Sequence, residues 1–126
     1  MRVDPLAEKW RVQQEETCER FGVERVAPDP ERNSGVSGNV INGEFFKAGT
    51  WPLHGCRYLP TETTTGWYVW AGELSEAADF FKPAHTAHLE TWCADAVPYL
   101  GLPPGWRFLI APGHEDVWFD GSLVTE

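Results

Sequence analysis

The chain of 126 residues is 42% hydrophobic and 23% charged, the composition of a globular protein with room for one core but not two independent ones. Its formal charge of −9 and pI near 4.8 count against binding nucleic acid or anionic lipid through a basic face. Apolar runs such as Trp67 to Ala71 and Trp106 to Ala111 fall far short of the ~20 residues of a spanning helix, and Met1-Arg-Val-Asp-Pro5 lacks the features of a secretory signal, so a soluble protein of the cytoplasm is expected.

The first predicted element is an amphipathic helix from about Pro5 to Phe21. Asp4 is placed to cap it, Pro5 fits its first turn, and Gly22 ends it, while Leu6, Trp10, Cys18 and Phe21 recur at roughly helical spacing. Residues 27–38 are rich in Pro, Asp, Asn, Ser and Gly and read as a loop. Val40 to Phe46 reads as a strand broken by the turn-forming pair Asn42-Gly43, and His54 to Leu59, between prolines, as an edge strand. Both faces of the next strand, within 62–72, carry bulky aromatic residues, which places it centrally in a sheet.

An acidic link, 73–81, then leads to a second helix predicted from Lys82-Pro83 to about Tyr99. Leu89, Trp92, Cys93, Ala96 and Leu100 form its apolar stripe. Gly101-Leu-Pro-Pro-Gly105 stops it, Trp106 to Ala111 forms a strand, Pro112-Gly113 turns the chain, and Val117 to Phe119 pairs back. The expected architecture is a single α+β domain over 1–126: a twisted, mainly antiparallel sheet of about four to six strands with two helices packed on it.

Chemistry-bearing residues are sparse. Cys18, Cys56 and Cys93 are odd in number and have no C-x-x-C spacing, so reduced, buried thiols are expected. His85 and His88, three apart, offer two imidazoles to a metal, with Asp79, His54 or His114 as further donors. A dyad of Cys93 with His54 or His114 is possible on paper, yet Cys93 lies on an apolar stripe. Ser34 and Ser37 lie in a Gly-rich segment that lacks the Lys of a phosphate loop.

The densest pattern is Gly113-His-Glu-Asp-Val-Trp-Phe-Asp120. It gathers Glu115, Asp116 and Asp120 about the aromatic residues Trp118 and Phe119. Such a group reads as a carboxylate pair for acid–base chemistry, as an anionic patch with an aromatic anchor, or as a solvated hairpin. The charge is also lopsided. Residues 1–71 hold ten acids against eight Lys or Arg, for −2, and residues 72–126 nine acids against Lys82 and Arg107, for −7.

Gly66-Trp-Tyr-Val-Trp-Ala-Gly-Glu73, Asp79-Phe-Phe-Lys-Pro-Ala-His85 with His88, Tyr99-Leu-Gly-Leu-Pro-Pro-Gly-Trp-Arg-Phe-Leu-Ile110 and Glu115-Asp-Val-Trp-Phe-Asp120 resemble small bacterial immunity-protein-like sequences associated with polymorphic-toxin systems. The resemblance covers roughly 38–120 and leaves the N-terminal helix, 1–22, outside. It implies a non-catalytic cytoplasmic protein that occludes a toxin domain, with no cofactor and no catalytic residues to carry over. Joined to the charge pattern, it marks Trp70, Glu73, Asp79, Glu115, Asp116, Trp118 and Asp120 as the surface expected to meet a basic protein partner, rather than nucleic acid or membrane. The alternative is a small metal-dependent or acid–base hydrolase built on His85, His88 and nearby carboxylates.

Overall fold

The computed structural model describes residues 4–43 and 50–125. Six strands, β1 (Asn33–Ser37), β2 (Leu53–Arg57), β3 (Thr64–Ala71), β4 (Phe81–His85), β5 (Trp106–Ala111) and β6 (His114–Phe119), form one sheet in the order β4-β1-β3-β2-β5-β6. Only β1 and β3 run parallel; every other neighbouring pair is antiparallel. The α+β expectation holds.

Helix α1 (Pro5–Arg20) begins and ends where the sequence places it. The Asp4 carboxylate accepts from Leu6 N at 2.9 Å, which satisfies one of the donors a helix start leaves free. Trp10, Gln14, Thr17 and Cys18 make its buried face. Gln14 is not an apolar residue. Its amide donates to Val97 O at 3.0 Å and accepts from Arg25 Nε at 2.8 Å, so its burial leaves neither polar end unmatched.

Four predicted elements come out differently. The loop expected over 27–38 contains β1, an interior strand, because Ser34, Val36 and Ser37 are buried there with their polar groups satisfied. Ser34 Oγ lies 2.8 Å from Thr65 Oγ1 and 2.6 Å from Thr86 Oγ1, bonds that no periodicity announces. The strand expected from Val40 begins instead as the short helix α2 (Gly38–Ile41), followed by Asn42 and Gly43 at φ +75°; 44–46 lie outside the described residues. The edge strand His54 to Leu59 is the interior strand β2, held between β3 and β5.

The second helix is the largest correction. Phe81–His85 is an edge strand paired with β1, a place where Pro83 removes no ladder bond that the fold needs. A 3₁₀ turn (Thr86–His88), the single helical turn α3 (Leu89–Trp92) and a 3₁₀ segment (Ala94–Tyr99) follow, broken at Cys93, which has φ −157° and ψ 73°. Pro98 has no N–H to close an α-helical bond and would clash with the preceding turn, so an unbroken helix cannot run through this segment. The stripe nonetheless predicts burial correctly: Leu89, Cys93, Ala96 and Leu100 are fully buried.

These segments and α1 cover one face of the sheet. Trp67, Val69 and Ala71 of β3, Leu53 of β2 and Phe108 and Ile110 of β5 join Trp10, Cys18, Leu89, Val97 and Leu102 in a single core. Gly55 is required within it, since a Cβ there would stand 2.1 Å from the Phe108 ring. Arg57 is buried on the same face. Its guanidinium donates to Thr65 O at 3.0 Å and to Val26 O and Leu102 O, each at 2.8 Å, and lies over the Trp67 ring.

Candidate interaction face

Because side chains alternate along a strand, the residues between those of the core point to the opposite face. Among the described residues, no α-helix covers it. Gly66, Tyr68 and Trp70 of β3, His54 and Cys56 of β2, Arg107 and Leu109 of β5, and Asp116 and Trp118 of β6 occupy this side according to the strand registers. Its apolar content forms an aromatic file. His54 stacks on Trp70 at 4.8 Å, Trp70 meets the Phe81 edge at 5.8 Å, Phe81 meets Tyr68 at 5.1 Å, and Tyr68 meets Tyr58 at 5.4 Å.

Two glycines let this file lie close to the backbone. A Cβ on Gly35 would stand 2.6 Å from the Tyr68 ring, and one on Gly66, at φ +91°, would stand 2.1 Å from Tyr58 O. The result is a groove of about 570 Å³, whose walls include Tyr58, Leu59, Tyr68, Leu74, Phe81 and Leu123. Tyr58, Leu59, Tyr68 and Leu74 are four of the eight large apolar residues exposed among those described, so solvent-facing apolar surface is concentrated here.

The electrostatics divide between floor and rim. Among the described residues Arg107 is the one charged residue lining the groove, and Asp120 accepts from its Nη1 at 3.1 Å while the guanidinium lies over the Trp118 ring. Beyond Leu74, the segment 73–79 carries Glu73, Glu76 and Asp79, all exposed and, among the described residues, without a hydrogen-bond or ion-pair partner. Burial lowers the pKa of His54, which therefore favours its neutral form beside Trp70.

The seven residues marked from sequence do not form one patch. Trp70 lies in the floor of the file, 4% exposed. Glu73 and Asp79 stand on the loop next to the groove, and Asp116 and Trp118 lie on the same sheet face toward the β6 edge, where Asp116 meets His114 at 2.9 Å. Glu115 points to the helix-covered side. There Arg20 donates to both its oxygens at 2.9 Å and the Tyr99 hydroxyl donates as well, which together tie α1 to β6 and hold the carboxyl below its ordinary pKa.

Asp120 is likewise occupied. It accepts from Ser122 N and Ser122 Oγ, capping the 3₁₀ turn Gly121–Val124, and from Arg107; these bonds lower its pKa. Tyr58, Tyr68, Phe81 and Glu76 escaped the sequence reading. The alternation within 62–72 was the available signal, since it showed bulky rings on both sides of a strand.

The other candidate chemistries do not assemble. His85 and His88 have ring centroids 5.9 Å apart, and among the described residues no group of three His, Cys, Asp or Glu could hold a metal ion. Cys93 sits in the helix-covered core with its thiol pushed up to about 12 by burial, on the opposite side of the sheet from His54. All three cysteines are free and buried. No helix among the described residues is long and apolar enough to cross a membrane.

No curated protein and no solved structure matches this chain. The family model of the Imm33-like domain matches residues 13–120, from the middle of α1 through β6, thereby including β1 and part of the helix that the sequence resemblance left out. With most of its length matched, including all six strands, the chain belongs to the Imm33-like domain family, an immunity-protein-like family.

Proposed function

We propose that the protein is a non-catalytic binding module, an immunity protein that occludes a basic toxin domain of a polymorphic-toxin system in the producing cell's cytoplasm. Membership of an immunity-protein-like family points to a protein partner. The observation that carries the reading to a surface is the sheet face opposite the helices, where an aromatic groove adjoins three unpaired acids on 73–79. Acids at a rim steer a cationic partner, whereas buried rings supply the holding energy.

Of the residues marked from sequence, Glu73, Asp79, Asp116, Trp118 and Trp70 belong to this surface or its support. Glu115 and Asp120 serve it by holding α1, Arg107 and the C-terminal turn in place. The test is a capture from lysate of the source bacterium with the native protein and with a Glu73→Gln, Glu76→Gln, Asp79→Asn variant, followed by an assay of whether the retained protein's toxicity is neutralised. Retention by the native form, earlier salt elution from the variant and neutralisation are expected. A retained protein that is not neutralised would overturn the immunity role.

A further inference from the structure

Two residues lining the groove each carry a buried side-chain donor that nothing among the described residues satisfies. The donors are Trp70 Nε1 and Arg107 Nε. A buried donor without a partner costs about 1–3 kcal/mol, and folded proteins retain few of them. Two on one groove make it the place where an acceptor from a partner, admitted by a small side-chain shift, would have donors to meet.

The charge of the site narrows the occupant. A cation in the groove would face Arg107, and an anion would find that Arg107 already paired with Asp120 and would approach past Glu73, Glu76 and Asp79. A neutral group meets neither obstacle. The walls are aromatic and aliphatic, and the volume falls within the range of about 300–1,000 Å³ usual for pockets that enclose a ligand.

We infer that the groove between Tyr58, Tyr68, Phe81 and Leu123 seats one neutral apolar side chain of the protein partner, whose adjoining backbone carbonyl accepts from the Trp70 or Arg107 N–H. This rests on the protein-binding reading above and assigns it an anchor. The acids of 73–79 guide the partner's basic surface to the rim, and the groove takes an uncharged residue from within that surface. Gly35 seats the Tyr68 ring and Gly66 the Tyr58 backbone, which sets the position of the two tyrosines that wall it.

The anchor is testable without the partner. ¹⁵N-labelled protein is titrated with N-acetyl-phenylalanine methylamide, which carries an apolar side chain and carbonyl acceptors, and in parallel with phenethylammonium and phenylacetate. Saturable shifts of Tyr68 and Leu74 with the neutral probe are expected, together with a downfield shift of the Trp70 Nε1–H or Arg107 Nε–H resonance. The charged probes are expected to bind at least about threefold more weakly. Tyr68→Ala should weaken the neutral probe by about tenfold, the loss typical of a central anchor contact. Leu74, 60% exposed, gives a second variant with little risk to the fold, and Leu74→Ala should weaken the probe by roughly threefold.

Absence of saturable shifts at the groove, or tighter binding of either charged probe, would overturn the anchor. If the side chain binds but neither N–H resonance moves, the carbonyl contact is refuted. A neutralised toxin whose affinity is unchanged by Tyr68→Ala and Leu74→Ala would also sink the anchor while leaving the immunity reading standing. Conversely, a groove that takes the probe in a protein that neutralises nothing would leave the site and remove that reading.

Discussion

Trp67 and Tyr68 are neighbours on β3, and the fold uses them oppositely. Trp67 is 1% exposed, its ring tilted against Phe108 and its indole N–H donating to Leu100 O at 2.8 Å, so it joins the sheet to the segments packed over it. Tyr68 is 38% exposed, resting on Gly35 and meeting the Tyr58 and Phe81 rings of the open face. One face is fixed by the need to exclude water; the other leaves large rings where a partner can reach them.

The largest effect expected from breaking this comparison is at Trp67. Trp67→Ala should cost about 3–5 kcal/mol, the range for emptying a large aromatic site in a core, measured by urea denaturation. Tyr68→Ala should cost about 1 kcal/mol, because half-exposed residues lose little on truncation, while its binding losses are large. Equal destabilisation by the two would show that the open face is a second core.

Arg57 comes next. It is 2% exposed and, among the described residues, has no carboxylate partner; it donates to the carbonyl oxygens of Val26, Thr65, Leu100 and Leu102. Its pKa is lowered to about 10 by burial, so it remains charged at neutral pH and its field is spread over backbone dipoles from three separate segments. Arg57→Met fills similar space but strands those carbonyls, and should cost about 2–4 kcal/mol with no selective loss at the groove.

Alkaline pH should act through the buried thiols, Cys18 and Cys93 of the covered face and Cys56 of the open one, all of which burial raises. Burial pushes Cys93 up to about 12 from 9.0, and burial with the Glu115 contact pushes Tyr99 to about 12 from 10.0. Above pH 9 the unfolded thiol loses its proton while the folded one keeps it. The unfolded state then binds fewer protons, so stability falls as pH rises, by up to about 1.4 kcal/mol per pH unit for each group that differs. Denaturation midpoints between pH 7 and 10.5 should decline from near pH 9, and Cys93→Ala should make the decline shallower. A flat profile would show that the core thiol is not sealed.

How far the sequence disclosed this division depends on what kind of signal each element carries. Strand β3 and helix α1 announce themselves, because alternating aromatics and a capped helix start are local facts. Strand β1 does not. Asn33-Ser-Gly-Val-Ser37 has the composition of a loop, and it becomes a strand only because Thr65, Thr86 and the β3 and β4 ladders satisfy its polar groups from distant positions. The same non-locality separates residues that the sequence groups together. Glu115, Asp116 and Asp120 are close in sequence, but alternation sends Glu115 to one face and Asp116 to the other, and Arg20, 95 residues away from Glu115, claims the former.

That clamp has a smaller, pH-dependent signature. The folded Glu115 carboxyl titrates below its ordinary range, so its contribution is present above the unfolded pKa of 4.5 and is lost as pH falls through the folded one. A partly exposed ion pair contributes about 0.5–1 kcal/mol. Glu115→Gln should lower stability by that amount at pH 7, and the gap from the native protein should close in acid. A gap that persists in acid would mean that the side chain acts through packing.

The smallest effect on stability is expected where the proposed effect on association is greatest. Glu73, Glu76 and Asp79 are exposed and make no internal bond among the described residues, so Glu73→Gln, Glu76→Gln, Asp79→Asn together should change the unfolding free energy by less than about 0.5 kcal/mol. Removing three negative charges from the groove's rim should nevertheless slow association with a basic partner and flatten its dependence on salt, with little change in dissociation, because rim charges act mainly during approach. Stopped-flow association at two ionic strengths separates the alternatives. A changed dissociation rate with unchanged association would place these acids inside the contact, and an unchanged pair of rates would remove the 73–79 loop from the interaction face.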